Sequence, residues 1–186
     1  MSTTPLDRAG PWRFQELPER RDLPEQYRYE VVDGHLLVTP PPSQRHQLAA
    51  AALVQQLARA APAEWLVAQE LALPLGTDGR VPDIAVVRAA APTASGPYPR
   101  GPEMFGLVGE VMSPDSRKTD LFAKPGEYAE AGIPLLWRLD LEPSPRLHAF
   151  RLDAGAYDLV TVLESRGEVP VPWGVMVVDL SRLPDR

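Results

Sequence analysis

Two carboxylates interrupt runs that otherwise suit a buried strand: Asp83 in Val81-Pro-Asp-Ile-Ala-Val-Val and Glu110 in Leu107-Val-Gly-Glu-Val-Met. A carboxylate in such a place is costly unless it is paired, hydrogen-bonded or bound to a cation. If the two strands are neighbours, both acids can converge on one hard cation, with a main-chain carbonyl near Val111 and waters completing the octahedron that Mg²⁺ prefers. Such an ion activates water and stabilises charge developing on a phosphate. Lys124, on the helical segment that follows, is then available to orient the attacking water or to neutralise the phosphate.

Each of these residues also has a plainer reading. Asp83 follows Pro82 and suits a turn at a strand entrance, and Glu110 suits a buried acid paired with Arg88 or Arg138. Lys124 alone would be a solvated helix lysine, and Arg117 and Lys118 are substitutes for its charge or contacts to phosphate. Asp120, with Thr119, caps the helix carrying Lys124. Glu30 either approaches the metal from the side or is an exposed strand acid, and His46 is either a satisfied interfacial histidine or a phosphate contact. Glu70 reads as an ordinary strand acid. Ser113 and Ser116 have no general base nearby in sequence, which gives a serine nucleophile little support. His35 and His148 have no ligand spacing to either acid and the chain has no cysteine, so zinc is disfavoured and a hard, oxygen-bound metal favoured.

These residues need elements to position them. Tyr27 to Thr39 is strand-like on both sides of Asp33-Gly34, a dipeptide that favours a two-residue hairpin turn. Ser43 is a plausible N-cap for a helix running to Ala60, with His46, Ala50, Leu53 and Leu57 on one face. Trp65 to Leu73 and Val81 to Arg88 read as neighbouring strands joined through a turn at Gly76 to Gly79, and Leu107 to Met112 as a further short strand. Gly109 is expected to loosen that strand beside Glu110. Asp115 to Ala131 is helical in character and ends at Gly132, with Pro125 disfavouring helical geometry at Lys124. Leu135 to Leu139, Leu147 to Leu152, Tyr157 to Leu163 and Val175 to Asp179 are later strands. The pattern is α/β or α+β, a mixed sheet interleaved with two helices.

The chain is 186 residues long, the size of one domain. Residues 1–26 read as a partly ordered extension with a small cluster at Trp12, Phe14 and Leu17, and residues 27–186 as a single domain. No apolar run approaches the ~18 residues of a membrane span, and Met1 to Gly10 does not resemble a secretory signal, so a cytoplasmic protein with no membrane partner is expected. The net charge of -6 argues against a general nucleic-acid coat but not against a nuclease, because a metal and one basic patch can hold a phosphodiester.

Pro82-Asp83, Glu110-Val-Met-Ser-Pro-Asp-Ser-Arg, Asp120, Lys124, Tyr128, Ala131-Gly-Ile-Pro and Leu136-Trp137 together resemble the Uma-two family of proposed endonucleases, of the PD-(D/E)XK restriction-endonuclease-like superfamily. The resemblance takes in Tyr29-Glu30-Val-Val-Asp-Gly-His-Leu-Leu-Val, the Pro-Pro-Ser before the first helix and His46, and so covers roughly residues 27–152. It implies a mixed β-sheet flanked by helices, a divalent metal on Asp83 and Glu110, and a lysine that completes the site. The superfamily's usual lysine position, two residues after the glutamate, is Met112 here, and the family resembled takes the lysine from the next helix, which carries the role over to Lys124. By the same analogy the protein is expected to be a homodimer that cuts DNA with Mg²⁺, for which Mn²⁺ can substitute. The rival readings are a binding or assembly module that keeps the fold without turnover, and a structural dimer.

Overall fold

A computed structural model describes residues 10–20, 22–89, 101–112 and 123–184. The chain opens on the Trp12 and Phe14 cluster, whose backbone N–H groups donate to Gly34 O (2.7 Å) and Thr77 O (2.8 Å), so this segment lies on the strands that follow it. A Cβ at Gly79 would fall inside the Phe14 ring, which is why that strand position carries no side chain.

Strands β1 (Arg28–Val32) and β2 (His35–Thr39) form the expected hairpin. Asp33 and Gly34 both take positive φ, 50° and 71°, as a type I′ turn requires, and the Asp78 carboxylate accepts from both of their N–H groups. Helix α1 (Gln44–Ala60) begins at Ser43, whose side chain accepts from His46 N at 3.3 Å, and buries His46, Ala49, Ala50, Leu53 and Leu57.

The segment expected as one strand from Trp65 to Leu73 is instead two. Strand β3 (Trp65–Gln69) stops at Glu70, which adopts the left-handed φ of 52°, and the chain crosses into another sheet as β4 (Leu73–Leu75) and β5 (Asp78–Arg80). That four-stranded sheet runs β2-β1-β5-β4. The turn expected over Gly76 to Gly79 is confined to Gly76 and Thr77, because Asp78 already pairs with Leu75.

The larger sheet has six strands in the order β10-β9-β8-β7-β6-β3, made of β6 (Ile84–Arg88), β7 (Phe105–Val111), β8 (Leu135–Asp140), β9 (Arg146–Asp153) and β10 (Ala156–Leu163) beside β3. β3 and β6 are neighbours, as the sequence suggests. All its pairs are antiparallel except β7 with β8, which helix α2 (Lys124–Glu130) bridges, since parallel neighbours need a crossover. Residues 113–122 lie outside the described residues, and within the span expected as a helix from Asp115 to Ala131 the described helix is Lys124–Glu130. Gly132, at φ 75°, ends it.

The sheet is covered on both faces, which accounts for the unbroken apolar runs in its central strands. Ile84, Val86, Leu107, Val111 and Trp137 pack with α1, while Ala85, Val87, Val108 and Leu136 pack with Tyr128 and Ile133 around α2. A final hairpin, β11 (Arg166–Val171) and β12 (Gly174–Asp179), packs Val169, Val171, Met176 and Val178 into the α1 cluster. Sequence reasoning missed β11, which contains Pro170. That residue's carbonyl accepts from the buried Trp137 indole N–H at 3.1 Å.

Candidate active site

The register Ile84↔Gly109 between β6 and β7, continued by one residue, sets Asp83 across from Glu110. By the period of two along a strand, Glu110 shares a face with Val108. Val108 packs toward α2, and Glu110 is held there by Lys124 and Tyr128, while Asp83, immediately before β6, is held by His46 of α1, Arg28 of β1 and the Val111 N–H. Both are buried. Gly109 does not loosen the strand as expected, because the Ile84 side chain fills its place: a Cβ there would come within 3.1 Å of Ile84 Cβ.

Each acid has a defined set of partners. Asp83 Oδ1 accepts from Arg28 Nη1 at 2.7 Å, and Oδ2 accepts from Val111 N at 2.8 Å and lies 3.1 Å from His46 Nε2. The same imidazole nitrogen is 2.9 Å from the Val111 carbonyl. Glu110 Oε2 accepts from Lys124 Nζ at 2.8 Å, and Oε1 from the Tyr128 hydroxyl at 2.5 Å. Lys124 is thus buried rather than solvated. Pro125 sits in the first turn of α2, where its missing N–H costs nothing, and does not turn the lysine away. The arginine pairing considered for Glu110 finds its arginines engaged elsewhere: Arg88 lies over the Trp65 ring and Arg138 Nε is 3.5 Å from Asp140.

The electrostatics follow from these contacts. Burial pushes the Asp83 carboxyl up, but the His46 hydrogen bond and charge, the Arg28 guanidinium and the Val111 N–H outweigh it and hold the group at about 2. Burial also opposes charge on His46, yet its bond to Asp83 raises it above an ordinary imidazole. Burial and the adjacent Glu110 push Tyr128 well up, so its hydroxyl keeps its proton and donates it to the carboxylate.

The contacts thus form two adjoining groups, Asp83 with His46 and the Val111 backbone and Glu110 with Lys124, linked through the successive residues Glu110 and Val111. Glu30 is adjacent rather than joined to them, and it is buried, not exposed: it accepts from Arg80 Nη1 at 3.2 Å and from Val81 N at 2.9 Å. Glu70 accepts from Gln47 Nε2 and its N–H reaches Asp83 O at 3.3 Å. Arg117, Lys118 and Asp120 lie outside the described residues. Sequence reasoning missed Arg28 and Arg80. Arg28 stands two positions before Glu30 in β1, so an inward Glu30 signals an inward Arg28, but nothing local shows that either points inward.

Residues 13–176 match the family Uma2, described as "Putative restriction endonuclease". The chain belongs to the Uma2 family. A solved structure from Anabaena variabilis ATCC 29413, described as a putative nuclease belonging to DUF820, superimposes with a TM-score of 0.68 at 19% identity, over 93% of this chain and 97% of that one. At that identity the likeness shows the fold alone. No curated protein matches the chain.

A restriction-endonuclease-like family such as Uma2 implies a divalent metal and a nucleic-acid substrate. Among the described residues no three His, Asp or Glu side chains form a ligand cluster, so the test falls on two carboxylates and a main-chain carbonyl. These all supply oxygen, and the Val111 N–H and carbonyl both face the Asp83–His46 pair, so the donors suit a hard cation. A cation held by them would exchange with the Arg28, His46 and Lys124 contacts seen here. No helix among the described residues is long and apolar enough to cross a membrane.

Proposed function

We propose that this protein is a metal-dependent endonuclease that hydrolyses phosphodiester bonds in DNA, with Asp83, Glu110 and Lys124 as its catalytic residues. The observation that carries the reading is a buried carboxylate held by a buried lysine from the following helix, with a second buried carboxylate bonded to the backbone of the next residue along, Val111. Asp83, Glu110 and the Val111 carbonyl would hold Mg²⁺, or Mn²⁺ in its place. When bound, the ion supplies Lewis acidity toward the phosphate and lowers the pKa of a water.

The chain's own residues do the rest. Tyr128 fixes one oxygen of Glu110 and leaves the other to Lys124, so the lysine is held at the acid rather than free in solvent. Its ammonium can orient the attacking water and neutralise charge that builds on the phosphate. His46 steadies both the Asp83 carboxylate and the Val111 carbonyl. Charge supports the substrate class: Arg28 and Lys124 already balance the two acids, so a bound dication leaves the site positive, as a polyanion requires.

The test is cleavage of supercoiled plasmid and of single-stranded DNA by wild type, Asp83→Ala and Glu110→Ala, each with EDTA, Mg²⁺ or Mn²⁺. Metal-dependent cutting that both substitutions abolish is the expected result. The pairing of both acids with the chain's own cations favours a second reading, a module that keeps the fold without turnover. Divalent-metal binding without cutting on any substrate would select it.

A further inference from the structure

Within the constellation one residue differs from the rest in origin and in access. The acids, the lysine and the tyrosine come from the six-stranded sheet and α2, but Arg28 enters from β1 in the other sheet. The side chains of Asp83 and Glu110 are each 3% exposed, Lys124 4% and His46 6%, whereas Arg28 is 16% exposed. Its Nη1 holds Asp83 Oδ1 and lies 3.4 Å from Val81 O, while its Nε is buried with no hydrogen-bond partner. A buried unpaired donor costs free energy and leaves this end of the side chain less firmly held than an arginine that uses its whole fork.

The geometry points to Arg28 as a displaceable counter-ion: it neutralises Asp83 until a divalent cation takes that oxygen, and the released guanidinium then contacts the substrate phosphate. The inference rests on the metal-dependent reading of the site and adds a phosphate-binding residue that comes from outside the acid-bearing sheet. Arg28 also feels the charges of Glu30 and Glu110, so after leaving Asp83 it stays in the same acidic surroundings, beside the cation. Guanidinium matches phosphate oxygens through its planar fork, and such contacts position a nucleic-acid backbone without reading its sequence.

The exchange predicts an effect that loss of a merely structural ion pair would not give. Removing the guanidinium should tighten metal binding, because the cation no longer competes with it, while weakening the hold on DNA. Mn²⁺ alone is titrated calorimetrically into wild type, Arg28→Gln and Arg28→Lys, and binding of a duplex oligonucleotide is followed in Ca²⁺ over a salt series. Arg28→Gln should bind Mn²⁺ about tenfold tighter, with Arg28→Lys between it and wild type, and its log–log salt slope should fall by about one.

In wild type the Arg28 Nε–H resonance, sheltered from exchange in the metal-free protein, should become fast-exchanging when Mg²⁺ is added. This measurement needs no variant and stands if Arg28→Gln fails to fold. Mn²⁺ affinity in Arg28→Gln equal to or below wild type overturns the inference, as does an unchanged salt slope or an Nε–H that Mg²⁺ leaves protected. Wild type that binds no Mn²⁺ sinks the metal-dependent reading and the inference with it. Wild type that binds Mn²⁺ as Arg28→Gln does sinks the inference alone.

Discussion

Two buried ion networks meet at α2, and they are built differently. In one, Arg80 uses both sides of its fork: Nε and Nη2 donate to Glu127 at 2.6 Å each, Nη1 reaches Glu30 at 3.2 Å, and the second Glu30 oxygen caps Val81 N. In the other, Asp83 and Glu110 are held by Arg28, His46 and Lys124, side chains from three elements. The first has one cation between two acids and fixed bidentate geometry; the second has as many cations as acids, or one more when His46 is protonated. The contrast separates a frame from a site. The Arg80 network ties α2 to the four-stranded sheet and so holds Lys124 in place from one turn away, while the Asp83–Glu110 network keeps partners that can be exchanged.

If this division is right, substitutions in the two networks should fail in different measurements. The largest effect is expected at Glu110: Glu110→Ala should lower cleavage by about 10³-fold or more, on the scale of losing a main source of transition-state charge stabilisation, in a plasmid-nicking assay. Arg80→Met should act on stability instead. It leaves Glu30 buried without its cation and should cost about 3–5 kcal/mol in urea unfolding. Retained stability with lost metal binding would put Arg80 in the site and erase the distinction. Tyr128→Phe removes one donor to Glu110 and should reduce cleavage by about tenfold, the scale of one hydrogen bond to a charged group, while lowering stability by about 1–3 kcal/mol, less than Arg80→Met.

The smallest effect sharpens the contrast through pH. Asp83 is depressed in the folded state, so its contribution, on the order of 2 kcal/mol, is complete above the ordinary carboxylate range near ~4 and is lost as pH falls toward 2. His46 is raised, so its contribution is complete below about 6.5 and is lost as pH rises through its folded value. The urea midpoint should therefore be highest between about pH 4 and 6.5. His46→Gln should flatten the alkaline side of that profile; an unchanged alkaline slope would remove His46 from the network.

How much of this was legible depends on the range of the signal. The hairpin at Asp33-Gly34, the capped helix α1 and the apolar runs of β6 and β7 announce themselves within a few residues, and so do the two acids that break those runs. The restriction-endonuclease-like fold follows from the ordered motifs. Glu70 and Pro170 misled, because a left-handed non-glycine residue inside one run and a proline inside another strand are tertiary outcomes. The partition into two sheets rests on β5 pairing with β1, and the Arg28–Asp83 pair spans 55 residues, so neither leaves a local trace.

Those separations also bear on the order in which the site comes together during folding. Glu110 finds Lys124 and Tyr128 across 14 and 18 residues, inside a single strand–helix–strand unit, whereas Asp83 waits for a partner from the far end of a much longer loop. Loop-closure entropy and contact order both favour the shorter closure. Loop closure therefore favours the lysine half forming first, with Asp83 gaining the Val111 N–H and His46 before β1 docks, so that Arg28 is the last of its partners to arrive.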